Sequence, residues 1–461
     1  MKMKSNRPSK IIRTDKWFLD PSDEQRVLFA RTVEEYRKLC RFLVTVVNTH
    51  WVELGSLSGK DVIPAVERLM HPTAKNPVVQ YPVFSRVFYK FPSYYRRAAI
   101  AFAVGQVSSF HTRYREWISG NSRTRKDAKP PTLNPDVGCY PTLYKGQCYK
   151  LHGFDRVEIK VFTGTDWVWT RVGISGLGYR HQVVANRMAS PSLILKQMSS
   201  HLSVPFECKP DKRTGSGCVV GVDLGINTTA TVSVVSKDGT VMHREFIHPG
   251  RDIDRRDKRL KSISRKASKT MGKGGKLHKG FARAMYQKCQ NINTQIGHIV
   301  SKRIVRIAEQ FNADAIVFEH LKGWKPRGGR KRSNLRQRFH GWLKSRIAQW
   351  TEEKWAERGG KTIYIFARGT SSNAYDGSGS VKRSAQNYAL SVFPSGKQYN
   401  CDLNGSYNIA ARGIIKLIGR NDHEDVGGKS TPSSPRNRAV LCDLWRSDTL
   451  KLASRTPPSS R

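Results

Sequence analysis

Apolar and polar positions along this chain change period several times, and each change marks an element. IIRTDKWFL, from Ile11 to Leu19, reads as a strand, and the PSDEQ that follows opens a helix, with Ser22 and Gln25 spaced as a capping box. Leu39, Phe42, Leu43 and Val46 then repeat at helical spacing and are expected in the core. A second long helix is expected from Ser93 to about Ile118, where Ala99, Ile100, Ala103, Val107, Phe110 and Trp117 form an apolar stripe. After the Pro-rich basic stretch NSRTRKDAKPPTLNP, period-two patterns return in VEIKVFT, WVWTRVGI, SLILKQM and SVPFECK, separated by turn residues. This order suggests a small β-barrel interrupted by a helical insertion.

From Cys218 the pattern changes to buried-type strands. CVVGVD, TATVSVVS and VMHREFIH read as three consecutive strands, with Lys237, Asp238 and Gly239 turning the chain between the last two. Arg251 to Lys288 is rich in Lys and Arg with few apolar residues, and is expected on nucleic acid or in solvent. A helix carrying Ile292, Ile296, Ile299, Ile304 and Ile307 follows, then the short strand AIVFEHL. Beyond a Gly- and Arg-rich loop come a helix through Trp342, Leu343, Ile347, Trp350 and Trp355, the strand TIYIF, and a last helix beginning at Asp402. Ile409, Ile414 and Leu417 of that helix are expected on a sheet. The tail from Asn421 to Arg461 is rich in Ser, Pro and Arg and is expected to be mobile.

Charge narrows the partner. Of 461 residues, 81 are Lys or Arg and 36 Asp or Glu, a formal charge of +45. Such a surplus suits a polyanion, because each neutralised phosphate releases counterions. Aromatic residues make up 10%, too many for a disordered basic tail. Eight scattered cysteines without a C-x-x-C pair argue against disulfides and structural zinc. No apolar run approaches the roughly 20 residues of a membrane helix, so a cytosolic protein is expected. Arg96, Arg97 and Arg113 on the second helix, and Arg327, Arg330, Lys331 and Arg332 in the Gly-rich loop, are candidate phosphate contacts. Trp324, Trp342, Trp350 and Trp355 are read as packing residues, and His320 as a neighbour of the site rather than a metal ligand.

Three carboxylates carry the candidate chemistry. Asp223 ends CVVGVD, Glu319 ends AIVFE, and Asp402 opens the last helix. Hard divalent ions prefer oxygen ligands, and phosphodiester cleavage by metal ions needs carboxylates converging from separate segments. The order Asp, Glu, Asp is that of the RuvC group among RNase H-like enzymes, whereas transposases of the DDE type place the Glu last.

GVDLGINTTA from Gly221 to Ala230, VFEHLKGW from Val317 to Trp324, and the pattern of Asp402, Leu403, Asn404, Asn408 and Ile409 resemble the TnpB nucleases and the compact type V CRISPR effectors. Weaker matches are PSDEQ, RSNLRQRFHGWLKSRI and Thr370-Ser371-Ser372. The resemblance implies a bilobed α/β protein with added β-barrel and helical parts. A wedge-like barrel would span 1–20 and 136–215, a helical recognition insertion 21–135, an RNase H-like RuvC domain 216–369 and 400–420, a nucleic-acid-binding ribbon insertion 370–399, and a tail 421–461. It further implies a guide RNA, a double-stranded DNA target, a short flanking motif read by the N-terminal half, and magnesium or manganese held by Asp223, Glu319 and Asp402. The alternative is an RNA-guided protein that blocks its target without productive cutting. The family's ribbon carries two C-x-x-C pairs where this chain has Ala374, Gly377, Val392 and Ser395, so no zinc is expected and the insertion should be a remnant held by packing.

Overall fold

The computed structural model describes residues 11–418 apart from 75, 89, 121–128, 137, 184, 197–198, 212, 227, 273–274, 322–342 and 385. The chain divides into two units, Met1–Lys209 and Pro210–Arg461.

The first unit begins with β1 (Ile11–Asp20) and α1 (Asp23–Thr49). The capping box forms: the Ser22 hydroxyl accepts from Gln25 N at 3.3 Å, and the Gln25 side chain accepts from Ser22 N at 3.1 Å. The helix then buries Phe29, Val33, Tyr36, Leu39, Cys40, Leu43 and Val47, one stripe at 3.6-residue spacing. Short helices α2 (Trp51–Leu54), α3 (Val62–Met70) and α4 (Val83–Val87) lead to α5 (Ser93–Ile118), which packs on α1 through Ala99, Ile100, Ala103 and Val107. Phe110 and Trp117 are only half-buried.

Strands β2 (Tyr149–His152), β3 (Arg156–Phe162), β4 (Trp167–Gly176), β5 (Arg187–Met188), β6 (Ser192–Lys196) and β7 (Ser199–Cys208) complete the unit. The sheet order is β2-β3-β4-β1-β7-β5, with β6 also paired to β7. The first strand therefore lies between two strands that follow the helices, so the helical segment is an insertion into the sheet. Closure expected of a barrel is not found among the described residues: β2 and β5 remain edges.

The second unit holds β8 (Cys218–Asp223), β9 (Ala230–Ser236), β10 (Val241–Ile247), α6 (Gly250–Met271), α7 (Arg283–Gln310), β11 (Ala315–Glu319), α8 (Lys344–Ala356), β12 (Lys361–Ile365), β13 (Lys382–Arg383), β14 (Leu390–Val392), β15 (Gln398–Asn400) and α9 (Cys401–Ile418). Its main sheet runs β10-β9-β8-β11-β12, with β11 parallel to both β8 and β12 and the other pairs antiparallel. The apolar runs in β8 and β11 follow from burial on both faces, and β9, buried likewise, also carries Thr231 and Ser233. Val220, Val222, Val232, Ile316 and Phe318 join Ile296, Val300, Ile304, Ile347 and Trp355 on one side. Val219, Val235, Ala315 and Val317 join Ile409, Ala410 and Ile414 on the other.

Helix α9 lies unusually close to the sheet. A Cβ on Gly221 would fall 2.4 Å from the Ser406 carbonyl oxygen, and one on Gly413 2.4 Å from a Val317 methyl. The basic stretch after Arg251 contains a 22-residue helix, α6, whose Arg256 is buried and donates to Asp257 at 2.8 Å and Asn293 at 3.1 Å. Ile299 of α7 is 43% exposed, whereas Ile296, Ile304 and Ile307 of the same helix are buried. The tail from Asn421 lies outside the described residues, and no described helix is long and apolar enough to cross a membrane.

Candidate active site

Asp223 is the last residue of β8 and Glu319 the last of β11. The parallel register pairs Val222 with Phe318, so the two acidic residues come next, side by side at the carboxyl ends of neighbouring strands. Open α/β sheets bind ligands outside that end of the strands. Asp402 lies in the first turn of α9, whose start is set by Asn400: its side-chain oxygen accepts from Asp402 N at 2.9 Å and Leu403 N at 3.1 Å. Gly405 follows on the same turn, and a Cβ there would fall 2.7 Å from Asp223 Oδ2.

One row of α9 side chains, spaced by four residues, straps the segment from Tyr364 to Tyr375 along the helix. Asn404 donates to Asn373 O at 2.9 Å, and its own oxygen accepts from Tyr375 N at 2.9 Å. Asn408 donates to Thr370 O and Asn373 O, both at 2.8 Å. Arg412 reaches Phe366 O at 2.7 Å and Arg368 O at 2.8 Å, and Lys416 reaches Tyr364 O at 2.9 Å. Thr370, held in this way, donates its hydroxyl to Glu319 Oε1. The sequence marks Asn404, Asn408 and Thr370 as motif positions without giving them a role; the geometry makes them positioning residues for the site.

The carboxylates interact electrostatically. Desolvation raises the Asp223 pKa well above the usual carboxylate range, the charges of Glu319 and Asp402 raise it further, and Arg383 opposes them. Burial also raises Glu319, against the Thr370 hydrogen bond and the Arg412 charge. Carboxyl oxygens with such uncompensated charge suit a hard divalent cation such as magnesium or manganese. Among the described residues, however, no three His, Cys, Asp or Glu side chains gather tightly enough to hold a metal ion. Asp223, Glu319 and Asp402 converge to electrostatic contact without forming a closed ligand shell. His320 follows the strand as a neighbour, donating its backbone N–H to Ile365 O at 2.8 Å.

Arg383 belongs to the small sheet β13-β14-β15, the region expected to be a ribbon remnant. Tyr375, Phe393, Tyr399 and Tyr407 pack there, with the Tyr375 centroid 5.4 Å from Phe393 and 5.2 Å from both Tyr399 and Tyr407. Lys397 Nζ lies 4.7 Å from the centre of the Tyr375 ring, and Arg244 donates to the Tyr399 hydroxyl at 2.8 Å. Ala374 is buried, and Gly377 takes a φ of 75°.

The candidate phosphate contacts divide. Arg96 is turned inward onto Glu67 at 3.0 Å with 11% of its side chain exposed. Arg97 keeps 48% exposure, 3.8 Å from Glu67, and Arg113 is exposed on α5. Arg327, Arg330, Lys331 and Arg332, with Trp324 and Trp342, lie outside the described residues. Trp355 is fully buried, and Trp350 stacks on His298 with centroids 4.1 Å apart.

Residues 13–163 match the model of the Aq_aa04 family, about a third of the chain. No curated protein sequence matches. Among solved structures, this chain is similar to Cas12f1 in a complex with sgRNA and target DNA, at 12% identity over 87% of this chain and 99% of that one, with a TM-score of 0.32. It is similar to the mini-RNA-guided endonuclease CRISPR-Cas_phi3, at 12% identity over 88% and 92%, with a TM-score of 0.48. It is also similar to Alicyclobacillus acidoterrestris C2c1 in complex with single-guide RNA, at 12% identity over 92% and 77%, with a TM-score of 0.44.

Proposed function

We propose that this protein is an RNA-guided DNA endonuclease that hydrolyses phosphodiester bonds next to a short flanking motif. The observation that carries this reading is the convergence of Asp223 and Glu319, at the ends of adjacent parallel strands, with Asp402 at the start of the helix laid across them. On this reading Asp223, Glu319 and Asp402 would draw closer together than in the metal-free chain to hold magnesium or manganese. When bound, the metal supplies Lewis-acid stabilisation of the phosphoryl oxygens and an activated water. Thr370 orients the Glu319 carboxyl, and Arg383 offsets the charge beside Asp223. A guide RNA paired to one strand of a double-stranded DNA target gives a polyanion that the charge of +45 suits. The N-terminal unit would read the flanking motif, and the prokaryotic cytosol or nucleoid is the proposed location.

The second reading, RNA-guided binding with little cutting, is favoured by one observation: the three carboxylates do not form a closed ligand shell. One experiment separates the two. The protein is expressed with its native flanking DNA, the co-purifying RNA is sequenced, and duplex DNA matching its variable end is supplied with magnesium. A defined RNA and cutting that Asp223→Ala abolishes without loss of target binding would support the endonuclease. Tight binding without cutting by the wild type would support the blocker, and random or absent RNA would remove both.

A further inference from the structure

Trp169 on β4 is 37% exposed, although burial of an indole is a large source of folding free energy. Two residues earlier, Trp167 is covered by Phe91 and Tyr95, with ring centroids 5.1 and 5.2 Å away. The difference lies in what surrounds Trp169. Antiparallel register sets it opposite Lys160, sets Arg171 opposite Glu158, and sets Lys150 opposite Glu158 from the other side. Strand alternation sends Val157, Ile159 and Val161 into the core. Lys150, Lys160, Trp169 and Arg171 therefore share the opposite face.

Lys150 Nζ stands 4.4 Å from the centre of the Trp169 ring, and Lys160 Nζ stands 5.7 Å away. The Lys150 and Arg171 side chains are 48% and 55% exposed. Glu158 is the carboxylate on this face, and it is shared among Arg171 at 2.8 Å, His152 at 3.4 Å and Lys150 at 4.0 Å. Cationic charge remains in excess around an accessible ring.

We propose that this face of β2, β3 and β4 binds single-stranded RNA, with Trp169 stacking on one unpaired base and Lys150 and Lys160 holding the flanking phosphates. Every base offers a π-face, so stacking on an aromatic side chain beside a basic track is tolerant of sequence and demands an unpaired strand. The Lys150 ammonium occupies the ring face in the free protein, and its exposed, flexible stem lets it move from the ring to a phosphate as the base arrives. The choice of RNA over DNA rests on the proposed function, in which the RNA carries unpaired stretches and the DNA target enters as a duplex.

The test is anisotropy of a short fluorescent single-stranded RNA, its DNA counterpart and a base-paired RNA, across salt concentrations, with the full-length protein. Trp169→Ala should weaken single-stranded RNA binding about 5- to 100-fold and leave paired RNA unchanged, whereas Trp169→Phe should keep most of the affinity. The Lys150→Ala, Lys160→Ala double variant should reduce the log-log salt slope by about 1.4, roughly 0.7 for each phosphate no longer neutralised. Wild-type tryptophan fluorescence should be quenched by single-stranded RNA, and part of that quenching should vanish in Trp169→Phe. Unchanged binding by a folded Trp169→Ala protein would overturn the proposal, as would an equal loss on paired RNA or an equal preference for single-stranded DNA. Failure of the nuclease reading would show instead in guide-directed DNA cutting, which this assay does not measure.

Discussion

Replacing Gly405 by Ala adds one methyl group directly at the Asp223 carboxyl. The new Cβ would sit 2.7 Å from Oδ2, and restoring an ordinary contact of 3.4 Å requires a displacement of about 0.7 Å. The carboxylate is the part that yields, because Gly405 lies in a helix whose backbone is fixed on the sheet. Metal–ligand distances tolerate only about 0.2 Å, and misplacement of a reacting group by about 1 Å costs on the order of 100-fold in rate. Gly405→Ala should therefore slow cutting by roughly 10- to 100-fold. Its stability should change little, since Ala is favoured over Gly inside a helix by about 1 kcal/mol and offsets the local crowding. Gly413→Ala is the control: it pushes on a Val317 methyl at 2.4 Å and should lower the melting temperature more than it lowers the rate per folded molecule. Single-turnover cutting and thermal melts on both variants measure the contrast. Wild-type cutting by Gly405→Ala would refute the placement of Asp223 beneath the helix.

Three further outcomes follow from the same geometry. The raised Asp223 pKa means that the folded protein holds a proton which the unfolded chain has released, so metal-free stability should fall as pH rises from the usual carboxylate range through the folded pKa, by up to about 1.4 kcal/mol per pH unit for one group. Asp223→Asn should flatten that slope in urea melts and be the more stable protein at neutral pH, with the difference vanishing below about pH 4; an unchanged slope would contradict the assignment. Asn400→Ala removes the cap of α9 and should cost about 1 kcal/mol in unfolding free energy, with slower cutting as Asp402 loses its anchor. Removing magnesium should stop cutting, whereas chelating zinc should change neither activity nor melting temperature; tightly bound zinc in metal analysis would contradict the reading of Ala374, Gly377, Val392 and Ser395.

The strand-end acids were legible because strands buried on both faces read as unbroken apolar runs, and in CVVGVD and AIVFE the first break in the run is the acid itself. The α9 start was legible from the change to helical spacing after Asp402. Pairing was not: the register that sets Phe318 beside Val222 depends on packing between segments almost a hundred residues apart in sequence. Helix α6 was not legible either, because only Arg256 and Ile263 of its 22 residues are buried, which leaves no apolar stripe to count. Arg96 reads like its exposed neighbours, since nothing in the sequence announces that Glu67 lies 3.0 Å away. Trp169 sits in WVWTRV beside another tryptophan, and only tertiary packing covers one and leaves the other accessible.

The central claim is that three carboxylates from distant segments act as one site, and single-turnover cutting of a guide-matched duplex tests it most directly. Asp223→Ala, Glu319→Ala and Asp402→Ala should each abolish cutting while target binding stays near wild type, and the double variants should be no worse than the singles, because residues acting as a unit are not additive. Retained cutting in any one of the three, or losses that simply multiply in the doubles, would contradict the account.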